Sequence, residues 1–406
     1  MEEPTLDLSK TLILSLGFFA SSLAWSMYNS FVPQILEGFV PSATLIGFIM
    51  TFDNIFGVVF QPLFGKWSDR THTKWGRRMP YLLVGIPISA FAFWMIPRAS
   101  SLVPLMLVII LFTFSMSVWR TPAVALMPDI TPGVLRSQAN GIVNLMGGIG
   151  SLLAFVGGGL LFRIGGFSAP FSTGAALMGA ALLALVFLLK EPVEAYAPDK
   201  EEGGKRAATL DASEKKSLLF LLLGVFFWFS GYNAVETFFT LYAVNTLGVD
   251  GGSAVLVLSI FSLTFLLFAV PAGFIGTKYG RRTVILVGLF GVTVVFAPLV
   301  VFANVRIAQV SMLIGGFFWA LVNINSLPMV VRMSSDDNVG TFVGYYYFFS
   351  FSAQIASPVL FGMVRDLSGH YRALFAYACI AFILAAGCLL FVRHGEDKPK
   401  LSETLA

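Results

Sequence analysis

Charge is scarce in this 406-residue sequence: Asp, Glu, Lys and Arg together make up 12% of it. A soluble globular domain carries about 25%. With 57% hydrophobic residues and a mean hydropathy of +0.82, the deficit excludes a soluble enzyme. Cysteine is nearly absent. Cys379 and Cys388 share one apolar run, and nine helical residues would hold them about 13 Å apart, too far for a disulfide. His72, His370 and His394 all fall in loops or at run ends, so no histidine metal site is expected within a membrane. No nucleophile–base pair, metal cluster, P-loop or nucleotide domain can be read. Neither an enzyme nor a resident cofactor is expected.

What the sequence has instead is apolar length. Twelve runs stand out, residues 11–35, 42–65, 79–97, 102–128, 138–162, 169–189, 217–246, 252–275, 283–303, 307–331, 340–363 and 372–392. Each can cross a hydrocarbon core of about 30 Å, which takes about 20 helical residues. Their continuity, with no alternation in period two, excludes a β-barrel. The first run is expected to be a span rather than a cleaved signal, because Glu2, Glu3 and Asp7 stand where a basic segment would be. Lysine and arginine set the orientation. With the N-terminus in the cytoplasm, twenty of the 26 lie in cytoplasmic segments, five (Arg98, Arg163, Arg306, Arg365, Arg372) in outer loops and one, Arg120, inside a span. Both termini are therefore expected inside, in a multi-pass protein of the cell membrane. The net charge of +4 reflects this bias and implies no nucleic acid.

A polar stretch, residues 191–216, reads as a cytoplasmic linker. It separates a six-helix bundle over 1–190 from a second over 217–406. The halves echo each other. Trp119 and Pro128 recur as Trp319 and Pro328 at the same spacing. The loop after the second run contains Gly65, Asp69, Arg70, Gly76, Arg77 and Arg78, and the loop after the eighth contains Gly273, Thr277, Lys278, Gly280, Arg281 and Arg282. Both fit G-x-x-x-D-R-…-G-R-R, the second with Thr for Asp. The physical reading is a latch on the cytoplasmic side, in which Asp69 pairs with arginines and with a helix N-terminus. The alternative is that Arg77 and Arg78 only anchor topology. Asp129, Thr131, Pro132 and Arg136 form a second cluster there. This loop resembles the signature of the major facilitator superfamily. The resemblance implies an all-α membrane fold of twelve helices in two pseudo-symmetric six-helix bundles, working by alternating access.

The first latch carries four extra residues, from Asp69 through Gly76 to Pro80. That longer form, S-D-R-x-x-x-x-x-G-R-R-x-P, resembles the glycoside–pentoside–hexuronide:cation symporters, and within them the sucrose-transporter branch. Gln61-Pro62, the stretch from Pro122 to Asp129, and Arg136 to Asn144 fit as well. The specific matches cover residues 25–160. The resemblance implies cation-coupled uptake of a glycoside, a di- or oligosaccharide of the sucrose or maltose kind. Sodium-coupled members carry acids on the second and fourth helices. Here Gly57, Gln61 and Arg120 stand at those places, and Thr113 stands where plant sucrose carriers have an acid. Sodium coupling through that site is therefore not expected, and neither relative supplies the coupling residue. Proton-coupled symport is the expected mode, with a sodium-coupled or uncoupled transporter of another small polar solute as the alternative.

Asp53, Arg120 and Glu236 lie well inside runs. Each costs several kcal/mol at that depth unless paired, solvated or neutralised, which makes it a functional candidate. Asp53, Gly57 and Gln61 recur every four residues and share a helix face. Asp53 reads as the proton site, with Arg120 as its counter-charge. The competing reading is a static pair joining two helices. Glu236 sits in the stripe Tyr232, Asn233, Glu236, Thr240. It reads as a sugar-hydroxyl acceptor or second protonatable group, or equally as a glutamic acid bonded within the bundle.

Sugar sites combine amides and carboxylates with aromatic faces. Candidate substrate residues are Trp25, Tyr28, Asn29, Gln61, Asn144, Tyr232, Asn233, Glu236, Asn323, Tyr346 and Gln354, with Asn140, Ser151, Trp319 and Ser350 on the same stripes. Gly147, Gly148, Gly150, Gly157, Gly158 and Gly159 in the fifth run read as a packing surface. The expected partners are a small-molecule sugar and the lipid bilayer, with a monomer sufficient. A facilitator or exporter of another polar solute is the alternative, and a sensor that binds without flux is a third.

Overall fold

The computed structural model describes residues 6–132, 135–189, 211–334 and 338–393. Among these, twelve helices are long and apolar enough to cross a membrane. In chain order they are α1 Leu8–Glu37, α2 Ala43–Arg70, α3 Met79–Arg98, α4 Leu102–Ile130, α5 Gln138–Gly165, α6 Ser168–Leu188, α7 Ala212–Leu247, α8 Gly251–Tyr279, α9 Arg281–Val301, α10 Val305–Val331, α11 Val339–Ser368 and α12 Ala373–Leu390. Each overlaps one of the twelve apolar runs.

Local chemistry sets their ends. The Asp7 side chain accepts from the Lys10 amide at the start of α1, and Asn304 does so for Arg306 and Ile307 at the start of α10. Asp211 and Glu214 form a reciprocal capping box at the start of α7, which satisfies amides with no partner inside the helix. Residues 212–216, expected as linker, are therefore the first turn of α7. The expected linker residues 191–210 lie outside the described residues.

α2 is not one uninterrupted helix. It runs from Ala43 to Met50, is broken at Thr51, and resumes over Phe52–Arg70. Asp53 thus stands in the first turn of a helix.

The chain divides into two compact units: Met1–Pro41, Ile49–Glu201 and Asp250–Leu256 form the first, and Ser42–Phe48, Glu202–Val249 and Val257–Ala406 the second. In the first, α1 packs on α5 and α6, α3 packs on α4 and α6, and α2 packs on α4. In the second, α7 packs on α11 and α12, and α9 on α10 and α12. The pairing scheme repeats, as the sequence echo predicts. Large aromatics fill both cores: Phe93 against Phe171 at 4.6 Å in the first, Phe238 against Phe361 at 4.8 Å in the second.

Within the second unit, Asp366 of α11 holds the start of α2. Its carboxylate accepts from the hydroxyls of Ser42 and Thr44, both at 2.7 Å, and from the amides of Ala43 at 2.9 Å and Thr44 at 3.0 Å. A carboxylate at the first free amides of a helix is favoured by hydrogen bonding and by the helix dipole. Glycine makes the approach possible: a Cβ on Gly362 would fall 2.5 Å from the Ala43 carbonyl oxygen.

Candidate functional site

In the first unit the structure brings together residues of α1, α2 and α4. Tyr28 is fully buried and stacks on Phe112, with ring centroids 5.3 Å apart. Trp25 stands edge-on to both, at 5.6 Å from Tyr28 and 5.4 Å from Phe112. The Trp25 indole N–H and the Tyr28 hydroxyl are buried without a hydrogen-bond partner among the described residues. Asp53 lies within electrostatic reach of both Tyr28 and Arg120. Its carboxylate accepts from the Asn54 amide at 2.6 Å and the Asn54 side chain at 2.8 Å. The break at Thr51 has a chemical consequence here, because the positive end of a helix faces the carboxylate inside the span. Asn29 is half-buried on α1. Gln61 folds its amide over Gly57, where a Cβ would come within 3.1 Å of Nε2.

Arg120 lines a cavity of about 90 Å³ shared with Gly17, Phe18, Ser21 and Ser22 of α1 and Trp119 of α4. Ser21 and Ser22 were not singled out in the sequence, since a pair of serines in an apolar helix gives no distinct signal. Asn144 on α5 is exposed and donates back to the Asn140 carbonyl at 2.9 Å.

The second unit holds a counterpart on α7, α10 and α11. Tyr232 lies flat on Trp319 at 4.4 Å. Phe229 meets the edges of Trp319 at 5.8 Å and of Tyr346 at 6.1 Å. Glu236 lies within electrostatic reach of Tyr232 on the same helix. Asn233 and Thr240, three residues before and four after Glu236, are buried, and the Asn233 amide nitrogen and Thr240 hydroxyl have no partner among the described residues. Asn323 and Gln354 are half-buried on α10 and α11. Tyr346, expected to meet substrate, is 6% exposed and exchanges a hydrogen bond with Ser326 at 2.9 Å. It supports the aromatic cluster from behind. Phe229 and Ser326 were missed in the sequence. Phe229 stands three residues before Tyr232 and so shares its face, which is a usable signal; Ser326 has none.

The equivalent tryptophans have separated in role. Trp119 is fully buried, donates to Ser89 at 3.1 Å, and fits against Gly85, where a Cβ would lie 2.7 Å from it. Trp319 backs Tyr232.

The latch residues of the first unit form one network. Arg77 clamps Asp129 with Nε at 3.2 Å and Nη2 at 2.8 Å. Arg78 reaches the same carboxylate at 2.8 Å, Asp69 at 2.5 Å and Ser68 at 2.5 Å. Burial pushes the Arg78 guanidinium down, but hydrogen bonding and charge from Asp129, then Asp69, outweigh it and hold Arg78 above its ordinary range. Gly76, at φ 96, makes the corner before the arginines. Gly65 faces Thr121, which a Cβ would meet at 3.0 Å. Arg136 donates to the Pro128 carbonyl at 3.4 Å, and Arg70 is exposed.

In the second unit Gly280, at φ 88, makes the same corner. Arg281 donates to the Pro328 carbonyl at 3.2 Å, and Arg282 to the carbonyls of Leu389 and Leu390 at 3.1 and 3.2 Å. Met329 stands where the repeat would place the counterpart of Asp129, so these arginines use main-chain oxygens.

Twelve apolar helices in two units of like pairing, each with a charged group inside its spans, define a membrane transporter. The chain belongs to the Major Facilitator Superfamily, whose description matches residues 14–258 and 245–405. It is similar to the class E tetracycline resistance protein of Escherichia coli, at 28% identity over 290 residues, 70% of each chain. Over 171 residues it is 28% identical to the sucrose transport protein SUC3 of Arabidopsis thaliana, covering 36% of this chain and 29% of that one. Its fold superimposes on a D-xylose–proton symporter with a TM-score of 0.74 at 16% identity, covering 96% of this chain and 99% of that one.

Proposed function

We propose that this transporter carries a glycoside of the sucrose or maltose class by alternating access, in symport with a proton. The observation that carries the reading is that each unit holds an intramembrane carboxylate within electrostatic reach of a tyrosine in an aromatic cluster: Asp53 of Tyr28, whose ring meets Trp25, and Glu236 of Tyr232, whose ring stacks on Trp319. Aromatic faces cover the apolar side of a sugar ring, and carboxylates and buried donors take its hydroxyls. The unpartnered Trp25 N–H, Tyr28 hydroxyl and Asn233 amide suit that role, because leaving such donors unsatisfied is costly.

In this reading Asp53 is the proton site. Ionised, it is held by Arg120 and the helix end; protonated, it releases Arg120. The similarity to the sucrose transport protein and the fold shared with a xylose–proton symporter support the reading. In this reading a single chain in the cell membrane suffices, since the residues of each cluster come from one unit. The similarity to the tetracycline resistance protein favours a second reading, movement of tetracycline or a like solute in place of a sugar.

Uptake of labelled sucrose and maltose into proteoliposomes tests both. Uphill uptake under an inward proton gradient, lost in Asp53→Asn while exchange of preloaded sugar persists, is the expected result. Uptake driven by sodium alone would overturn the assignment of the coupling ion. Proton-driven tetracycline movement without sugar uptake would replace the first reading with the second.

A further inference from the structure

The segment Lys74-Trp75-Gly76-Arg77-Arg78 recurs in the second half as Lys278-Tyr279-Gly280-Arg281-Arg282. The corner glycine divides its work. Beyond Gly76 and Gly280, the arginines turn inward to carboxylates or main-chain oxygens. Before each glycine, a lysine and an aromatic ring turn outward. Trp75 is 56% exposed and Tyr279 59%. The Lys74 ammonium lies 5.9 Å from the centre of the Trp75 ring, and that of Lys278 5.3 Å from the Tyr279 ring. Among the described residues, the partner of each lysine is that neighbouring ring.

In the first unit the surface continues onto the end of α2, where Lys66, Trp67 and Arg70 are also exposed. The acid of that loop, Asp69, is paired with Arg78, so its charge does not offset the outward cations.

An exposed indole or phenol at a span end suits the zone between hydrocarbon and water. A lysine held over such a ring keeps its ammonium at that depth. Basic side chains at this position attract anionic headgroups. The loop is also rigid: Thr73 donates to the Gly76 carbonyl at 2.6 Å, and Arg78 ties the loop back to α2.

We propose that each Lys–aromatic corner, at Lys74–Trp75 and at Lys278–Tyr279, docks the headgroup of an anionic phospholipid, the first more tightly because Lys66 and Arg70 flank it. The occupant is a lipid rather than a free phosphate, because the rings present apolar surface that an inorganic ion would not cover.

The test is native mass spectrometry of the delipidated full chain titrated with phosphatidylglycerol and, separately, with phosphatidylcholine of the same acyl chains. The expected result is preferential retention of phosphatidylglycerol, reduced about fivefold for each lysine removed in Lys74→Gln and Lys278→Gln, with phosphatidylcholine unchanged. The conservative variants Lys74→Arg and Lys278→Arg should retain the lipid, which separates loss of charge from loss of fold. Equal retention of phosphatidylglycerol by wild type and the double Gln variant would overturn the proposal. So would its displacement by millimolar inorganic phosphate, which would make the corners phosphate sites.

Discussion

Tyr232 lies flat against Trp319, with ring centroids 4.4 Å apart and planes 4° from parallel. Phe229 and Tyr346 brace the pair, and Ser326 fixes the Tyr346 hydroxyl. If this stack is a sugar platform, losing it removes a contact worth about 1 kcal/mol. Trp319→Ala should raise the KM for uptake about fivefold or more, on the scale of 1.4 kcal/mol per tenfold, while Trp319→Phe keeps most of the affinity. Ser326→Ala should have a smaller effect in the same direction, because it loosens the brace and leaves the platform in place. Initial uptake rates in proteoliposomes across sugar concentration separate these outcomes.

Asp129 serves two arginines, and one of them, Arg78, is 4% exposed. Removing a partner from a buried pair costs about 3–5 kcal/mol, since a charge is left uncompensated. Asp129→Ala should therefore lower the thermal unfolding temperature in detergent markedly. Arg70→Ala, at an exposed neighbour, should leave it nearly unchanged. Equal melting of the two variants would remove the structural weight placed on this network.

The α5 glycines separate by what faces them. A Cβ at Gly150 would lie 2.4 Å from the Phe19 carbonyl oxygen, whereas at Gly157 nothing lies within 4 Å. Main chain cannot move aside as a side chain does, so Gly150→Ala should be poorly folded. Gly157→Ala should express and melt like wild type, or slightly higher, because alanine favours helix. Size-exclusion profiles and thermal melts of the two variants check this.

Asp250 offers a test by pH. It accepts from the Ser253 amide at 3.0 Å and from the Ser253 hydroxyl, and Arg163 donates to that hydroxyl at 2.9 Å. The hydrogen bond from the Ser253 side chain, outweighing burial, holds the carboxyl below its ordinary 3.8. A lowered acid contributes stability above its unfolded value, and the contribution fades as pH falls through the folded value. Melting temperature should therefore drop below about pH 4. Because Asp250 is exposed, the drop should be shallow. Asp250→Asn should flatten that part of the profile.

Much of this was legible in the sequence for a simple reason. A span needs about 20 apolar residues, and little else in a protein looks like that. The intramembrane charges were equally plain against that background. The interruption at Thr51 was not, because the residues on both sides are apolar and a hydropathy window passes over it. The roles of individual polar residues were also hidden. Tyr346 and Tyr232 look alike in a stripe; only the fold shows that one hydroxyl is taken by Ser326 while the other ring lies on Trp319. Arg281 and Arg282 repeat Arg77 and Arg78 in sequence, yet they bind main-chain carbonyls; Met329 in the place of Asp129 shows in the sequence that the carboxylate is gone, but not what replaces it.

The hold of Asp366 on Ser42, Ala43 and Thr44 bears on how the polypeptide could be divided. The second unit contains residues 42–48, and the first contains residues 250–256. A cut in the segment near residue 200 would thus give two fragments, each missing about two helical turns encoded by the other. Expressed alone, the later fragment would leave the Asp366 carboxylate without its amide donors and Gly362 facing no backbone. Made together in one cell, the fragments would each supply the other's missing piece, and function would return only by their reassociation.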